Sequence, residues 1–274
     1  MRYPMTPQGE EVNPELYHPS LRRSMLRSRY AYVTREAIAS VTVQPLEKLL
    51  FRHWLNEGPL ASQIERLGLP RRPVSAYLGD VLDVQVNPQA LSQHVSMVHS
   101  FESKAIGRRA RSQFIWEGDW DIKTFDFKSI NRYQFIEDIW RNRNDIAASN
   151  AYVELVENLR GGKPFRSHHK GVLLNSFEKI TIYLDQYLAY MKSMKENGFD
   201  PSLGKEKLGV AIGRHGQLLK INRGLHRLAM AQVLGLDVIV VRVMGVHRGW
   251  WNENKKENNE GSLFSVIKNS ECGD

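Results

Sequence analysis

A glycine followed by histidine and arginine combines the residue types that bind phosphate. Gly224 precedes Leu225, His226 and Arg227, and apolar residues at helical spacing then continue to Gly235. A glycine lets the backbone approach a ligand closely, and the first amides of a helix have no partners inside it and carry the positive end of its dipole. A phosphate is the common ligand of such a helix start, and an arginine adds a planar pair of donors. The spacing alone equally allows a plain helix start with a surface arginine and a capping histidine.

Carboxylates between tryptophans form a second segment with chemical potential. Residues 116–121 read Trp-Glu-Gly-Asp-Trp-Asp. Asp119 and Asp121 are two positions apart, so on an extended chain both side chains point the same way. Such a pair can hold a divalent cation beside a phosphate, or one member can act as a general base. The alternative is a loop whose tryptophans fill the core while its acids face water.

The residues around Gly224 predict three strands and a helix, which would hold Gly224 at the start of that helix. Three apolar runs predict strands, the last of them buried on both faces, over residues 208–212, 218–221 and 237–244. Turn residues separate the first two runs and also precede the helix. Gly235 stands where a helix C-cap belongs.

The Gly224-Leu225-His226-Arg227 box in this setting resembles the ParB/sulfiredoxin superfamily, which carries a Gly-x-[His/Arg]-Arg box at this place. The resemblance covers the last third of the chain well and the middle third loosely. It implies that Gly224, the amides of Leu225 and His226, and Arg227 hold nucleotide phosphates. More narrowly, the chain looks like ParB-like proteins of unassigned role, which pair a Gly-Asp-Trp-Asp stretch with His-x-x-Trp, here residues 118–121 and 247–250.

Two departures from the family limit what the resemblance implies. Sulfiredoxins have a cysteine directly after the box glycine, and this chain has Leu225, which excludes thiol-dependent sulfinic-acid repair. Partition proteins follow the box with a helix-turn-helix DNA reader. Here about thirty largely polar residues follow Gly245, which argues against centromere binding.

Composition bounds the class of protein and its partners. The chain has 274 residues, 42% of them apolar and 25% charged, as in soluble globular proteins. Its net charge of +8 favours anionic partners such as nucleic acid or phosphorylated substrates, without choosing among them. A single cysteine, Cys272, excludes an internal disulfide and a cysteine metal cluster. No apolar run is long enough to span a membrane, and together these features predict a cytoplasmic protein.

The expected architecture is an α+β fold: a small ParB/sulfiredoxin-like mixed sheet with helices, and helical N-terminal and middle segments. Residues 1–75 are expected to form a basic arm and helices, with the arm extended over about the first 30 residues. Residues 76–250 would form the ParB/sulfiredoxin-like domain, with a helical insertion at about 129–197. Residues 251–274 read as a polar, mobile tail.

The leading functional hypothesis is nucleotide-dependent phosphoryl transfer or hydrolysis, as some superfamily members perform. It implies ATP or CTP with Mg²⁺, and a small-molecule or glycan acceptor. Asp119 or Asp121 would ligate Mg²⁺ or activate the acceptor, and His247 would contact phosphate or acceptor, unless that histidine only packs on Trp250. One alternative is a DNA- or RNA-binding protein or nuclease, which basic residues favour at 22–29 and 104–111. The other is a non-catalytic nucleotide-binding module.

Overall fold

The chain divides into two compact units in a computed structural model that describes residues 5–7, 13–203, 207–256 and 258–270. The first unit comprises Met1–Val43 and Phe135–Glu196, and the second comprises Gln44–Gln134 and Asn197–Asp274. Helices and a mixed sheet confirm the predicted α+β class. None of the described helices is long and apolar enough to cross a membrane. Cys272 lies outside the described residues.

The α-helices follow one another along the chain with these bounds: α1 Arg22–Val41, α2 Val43–Leu55, α3 Ala61–Arg66, α4 Arg71–Leu78, α5 Lys104–Ala110, α6 Asn131–Arg141, α7 Asn150–Arg160, α8 Phe177–Asn197, α9 Leu225–Leu234, α10 Arg248–Asn254 and α11 Asn259–Ser270. The strands are β1 Asp83–Val86, β2 Gln93–His94, β3 Ile115–Trp116, β4 Phe125–Asp126, β5 Arg166–Ser167, β6 Val172–Leu173, β7 Gly209–Ile212, β8 Leu218–Lys220 and β9 Ile239–His247. Short 3-10 turns lie at Pro19–Leu21, Gly79–Leu82, Pro88–Ala90, Phe127–Ser129 and Ile146–Ala148.

A seven-stranded sheet forms the centre of the second unit, and β9 is its longest strand. The order is β1-β9-β7-β8-β2-β4, and β3 also pairs with β9. Strands β7 and β8 form the predicted antiparallel hairpin, while β7 runs parallel to β9. Seven of the nine residues of β9 are buried, because neighbours cover both of its faces.

Aromatic and aliphatic side chains fill the core on one side of this sheet. Trp116 and Trp120 pack edge to face with ring centroids 5.1 Å apart, and Leu219 and Met244 from the sheet join the same buried cluster. The tryptophans of the acidic segment therefore fill the core, as the loop alternative predicts, but Asp121 is buried and does not face water.

The first unit is mainly helical and contains most of the predicted insertion at about 129–197. Asp138 on α6 accepts hydrogen bonds from the amides of Asn150 and Ala151, at 3.2 and 2.8 Å, and so caps the start of α7. Ser149 adds a second cap by accepting from the Tyr152 amide at 3.1 Å. These caps fix how α6 and α7 meet.

Two predicted segments differ from the structure. The extended basic arm is helix α1 from Arg22 onward, because residues 22–41 contain no proline or glycine and are rich in good helix formers. The predicted mobile tail instead contributes α10 and α11. Leu263, Val266 and Ile267 recur at helical spacing and are buried, and this apolar face outweighs the polar residues before it. Residues 1–4, 8–12, 257 and 271–274 of these segments lie outside the described residues.

Candidate functional site

Gly224 begins α9 in a conformation that favours glycine. Its φ of +72° lies in the left-handed region, and a Cβ there would approach Leu208 Cα to 3.3 Å. The Gly224 carbonyl accepts the first helical hydrogen bond, from the Leu228 amide at 3.1 Å. The preceding amides of the first turn have no partner within the helix. The structure therefore starts helix α9 at the Gly224 box, as the sequence predicts.

Lys220 holds the turn that leads to Gly224. Its side chain is fully buried, and Nζ donates to the carbonyls of Gly209 at 2.8 Å, Ile221 at 2.6 Å and Arg223. Burial lowers the pKa of Lys220 well below its usual value, and the charges of Arg227 and Arg223 lower this pKa further. Three carbonyl acceptors match the three N–H bonds of an ammonium group, so the cage opposes this shift. Lys220 thus fixes the turn under the start of α9.

Arg227 connects the box to the preceding loop. Its Nη1 donates to the Leu203 carbonyl at 2.5 Å, and its guanidinium lies 5.6 Å from the Phe199 ring centroid. Leu225 is buried, whereas His226 and Arg227 are half-buried. Two basic side chains therefore remain partly accessible in the first turn of α9.

His94 contacts the same turn from strand β2. Its Nε2 lies 2.6 Å from Oδ1 of Asn222, and both its side chain and its strand lie beside Lys220. Burial lowers the pKa of His94, and the hydrogen bond that His94 donates to Asn222 Oδ1 opposes that shift only partly. His94 and Lys220 were not predicted as site residues. The signal for Lys220 was a lysine within an apolar strand, whereas the pairing of His94 requires contacts 128 residues apart.

The two predicted acids lie together against Arg214. Asp121 is buried and accepts from the Arg214 amide at 2.7 Å, from Nε at 3.0 Å and from Nη2 at 2.8 Å. Asp119, whose side chain is 60% exposed, accepts from the same Nη2 at 2.8 Å. Burial raises the pKa of Asp121, but the hydrogen bonds from Arg214 outweigh it and leave the pKa below its ordinary value. Both carboxylates therefore pair with one guanidinium.

His247 lies in the same cluster and uses both ring nitrogens. Nδ1 accepts from the Gly249 amide at 2.9 Å, which caps α10, and Nε2 lies 3.1 Å from the Gly118 carbonyl. A neutral ring with its proton on Nε2 satisfies both bonds. The distance from Nε2 to Asp121 Oδ1 is 3.8 Å. We call Asp119, Asp121, Arg214 and His247 the Arg214 cluster.

The Arg214 cluster and the box lie at opposite ends of β7. Gly224 packs on Leu208, directly before the strand, whereas Arg214 follows the strand's other end. Leu208 and Gly213 are five extended residues apart, about 16 Å. The structure therefore brings Asp119, Asp121 and His247 together but does not bring them to Gly224–Arg227.

The donor set of the Arg214 cluster does not suit Mg²⁺. Arg214 already bonds to both oxygens of Asp121 and to Oδ1 of Asp119, and its charge would repel a cation. Within the described part of the chain, no three or more His, Cys, Asp or Glu side chains are placed to hold a metal.

Comparisons of the chain with protein-family models, with curated proteins and with solved structures find no match. The resemblance to the ParB/sulfiredoxin superfamily therefore rests on the residues of the box and on the strands and helix around it.

Proposed function

We propose that this protein binds a nucleotide in the manner of the ParB/sulfiredoxin superfamily, with the phosphates at Gly224–Arg227. One observation carries the proposal. Gly224 adopts a left-handed conformation at the N-terminus of α9, beside a fully buried lysine and next to His226 and Arg227. The helix-start amides and an arginine together favour an anion at this position.

The proposed ligand is ATP or CTP, and the proposed reaction is phosphoryl transfer to a small-molecule or glycan acceptor, or hydrolysis. Such reactions depend mainly on positioning and on neutralising phosphate charge, which the residues of the box supply. The catalytic roles of Asp119, Asp121 and His247 stay predictions. In this conformation Asp119 and Asp121 pair with Arg214 and His247 caps α10, at the far end of β7 from the box. A nucleotide-binding module without turnover therefore stays an alternative, which release of inorganic phosphate from ATP or CTP would exclude.

The proposal is tested by nucleotide affinity in a matched pair of arginine variants. Arg227→Ala removes the guanidinium at the box, and Arg108→Ala removes an exposed guanidinium from α5. We expect Arg227→Ala to weaken binding of labelled ATP or CTP by about tenfold or more, the effect of losing one charged hydrogen-bonding group, and Arg108→Ala to leave it unchanged. Equal affinity in both variants would remove the box as the phosphate site.

Helix α1 supports nucleic-acid binding as a second candidate function. Its arginines outnumber its single acidic residue, and Arg22, Arg23 and Arg27 are exposed. Phosphate contacts of this kind weaken steeply as salt rises. A mobility shift with DNA or RNA at low salt, which disappears at moderate salt and in the triple alanine variant of these arginines, would support this function. Absence of a shift at low salt would reject it.

A further inference from the structure

Helix α1 is long but contributes little to the core of the first unit. Only Met25 of its 20 residues is buried, and near the start of the helix Ser28 Oγ lies 2.9 Å from His169 Nδ1. After Ser28, every residue of the helix is exposed or half-buried. A free helix of about 12–15 residues is marginally stable in water, and helices gain most of their stability from packing. The second half of α1 lacks such packing within the described part of the chain.

A row of apolar residues runs along the exposed side of α1. Leu26, Tyr30, Val33 and Ala37 follow one another at intervals of four, three and four residues, which is the spacing of a coiled-coil seam. The exposed fractions of Leu26, Tyr30 and Val33 are 48%, 73% and 51%, and Ala37 is exposed too. Apolar residues also occur on the other sides of the helix, so α1 as a whole is not amphipathic. We call these four residues the α1 row.

The α1 row is complementary in size to a second copy of itself that runs in the opposite direction. If Tyr30 of one helix packs on Val33 of the other, twofold symmetry also packs Val33 on Tyr30. In the same register, Leu26 of each helix meets Ala37 of the other. Each layer then combines a larger and a smaller side chain, which fills the space between two helices without voids.

The charges beside the α1 row are complementary in the same register. Arg29 and Glu36 lie one heptad apart on one edge of the row. Neither side chain pairs with an opposite charge among the residues that the structure describes. In an antiparallel pair the same edges of the two helices face each other, so Arg29 of each helix lies opposite Glu36 of the other. The pair therefore gains two ion pairs across the interface.

A parallel pair of the same helices would lack this complementarity. In that direction, one edge of each helix faces the other edge of its partner, which brings Arg22 of one helix beside Arg27 of the other. Arg29 would then lie opposite the uncharged Thr34. The charges therefore favour the antiparallel direction.

We propose that the α1 row is a dimer interface, which pairs antiparallel with the α1 row of a second copy of this chain. Tyr30 packs on Val33 and Leu26 on Ala37 of the other copy, and Arg29 pairs with Glu36. Four layers make a small contact, so the dimer belongs to the weak class whose population rises with protein concentration. The pairing is independent of nucleotide binding at Gly224–Arg227.

Sedimentation velocity over a range of protein concentrations tests the interface with a matched pair of variants. Ala37→Glu and Ala31→Glu each place the same charge at an exposed alanine of α1, but only Ala37 belongs to the α1 row. We expect wild type and Ala31→Glu to dimerise alike. Ala37→Glu should weaken the dimer by about tenfold or more, because its carboxylate would be buried against Leu26. A wild type that stays monomeric, or equal dimerisation of the two variants, would overturn the proposal.

Exchanging the two charges tests the antiparallel register. Arg29→Glu places like charges opposite each other at both ends of the interface and should weaken the dimer by about fivefold or more. Combining Arg29→Glu with Glu36→Arg forms both ion pairs again in the reverse sense and should restore dimerisation to the wild-type level. An unchanged dimer in Arg29→Glu, or no recovery in the double variant, would contradict this register.

Discussion

Lys220 fixes the turn before Gly224, a turn whose conformation the sequence does not predict in detail. Its three N–H bonds go to carbonyls before and within the turn that leads to Gly224. A lysine in an apolar strand is visible in the sequence. The direction of its side chain is not, because strand alternation would equally allow it to face solvent.

Replacing Lys220 by methionine should cost several kcal/mol of unfolding free energy. The variant keeps the length of the side chain but leaves the carbonyls of Gly209, Ile221 and Arg223 without their donor. Each unpaired buried acceptor costs about 1–3 kcal/mol. Urea denaturation at neutral pH measures the change, with Lys104→Met, an exposed lysine on α5, as the control. Equal destabilisation in the two variants would contradict the structural role of Lys220.

The elements around the box follow closely from local signals in the sequence. The β7–β8 hairpin, the start of α9 at Gly224 and its left-handed C-cap at Gly235 are confirmed, because turn chemistry and hydrophobic period act over a few residues. The Arg214 cluster could not be predicted in this way, because its contacts join residues 93 and 95 positions apart in the sequence. Helix α1 is also not predicted by the sequence pattern, because its polar and apolar residues are evenly mixed and form no amphipathic face.

Gly224 and Gly235 offer a matched test at the two ends of α9. Both have φ near +70°, but a Cβ at Gly224 meets Leu208 at 3.3 Å, whereas a Cβ at Gly235 meets nothing within 4 Å. Each alanine variant should lose about 1–2 kcal/mol of stability from the left-handed conformation. Only Gly224→Ala should also weaken ATP or CTP binding, since it disturbs the phosphate-binding end of the helix. Equal nucleotide affinity in both variants would count against a phosphate at Gly224.

Carboxylates within the second unit connect elements that are far apart in the sequence. Glu65 accepts from Trp54 at 3.3 Å and from Trp251 and Lys255 at 3.0 Å, so it joins α2 and α3 to the C-terminal α10. Burial raises the pKa of Glu65, but these hydrogen bonds outweigh it and leave the pKa below its ordinary value. The pKa of Asp121 is lowered in the same direction by Arg214.

Because the pKa values of Glu65 and Asp121 are lowered, the stability of this unit depends on pH in the acid range. A folded-state pKa below the unfolded one gives stability that is fully present above the unfolded value of about 4 and is lost as the pH falls through the folded value. We expect the free energy of unfolding to fall below about pH 5, with at most about 1.4 kcal/mol per pH unit from each group. Glu65→Gln should make this dependence shallower than in wild type, and Glu253→Gln, an exposed position on α10, should not. Urea denaturation between pH 3 and 7 gives the free energy of unfolding of each protein as a function of pH. If the curves of wild type and Glu65→Gln are parallel, Glu65 does not cause the pH dependence.

The most direct measurement of the central claim is the response of backbone amides to nucleotide, by ¹⁵N-resolved NMR with saturating ATP or CTP. A phosphate at the start of α9 should shift the amide resonances of Leu225, His226 and Arg227 and slow their hydrogen exchange, because these amides would donate to its oxygens. At a nucleotide concentration near the wild-type Kd, the same shifts should be much smaller in Arg227→Ala. Bound nucleotide that leaves residues 224–228 unchanged and perturbs only Gly118–Asp121 would contradict the assignment of the phosphate site.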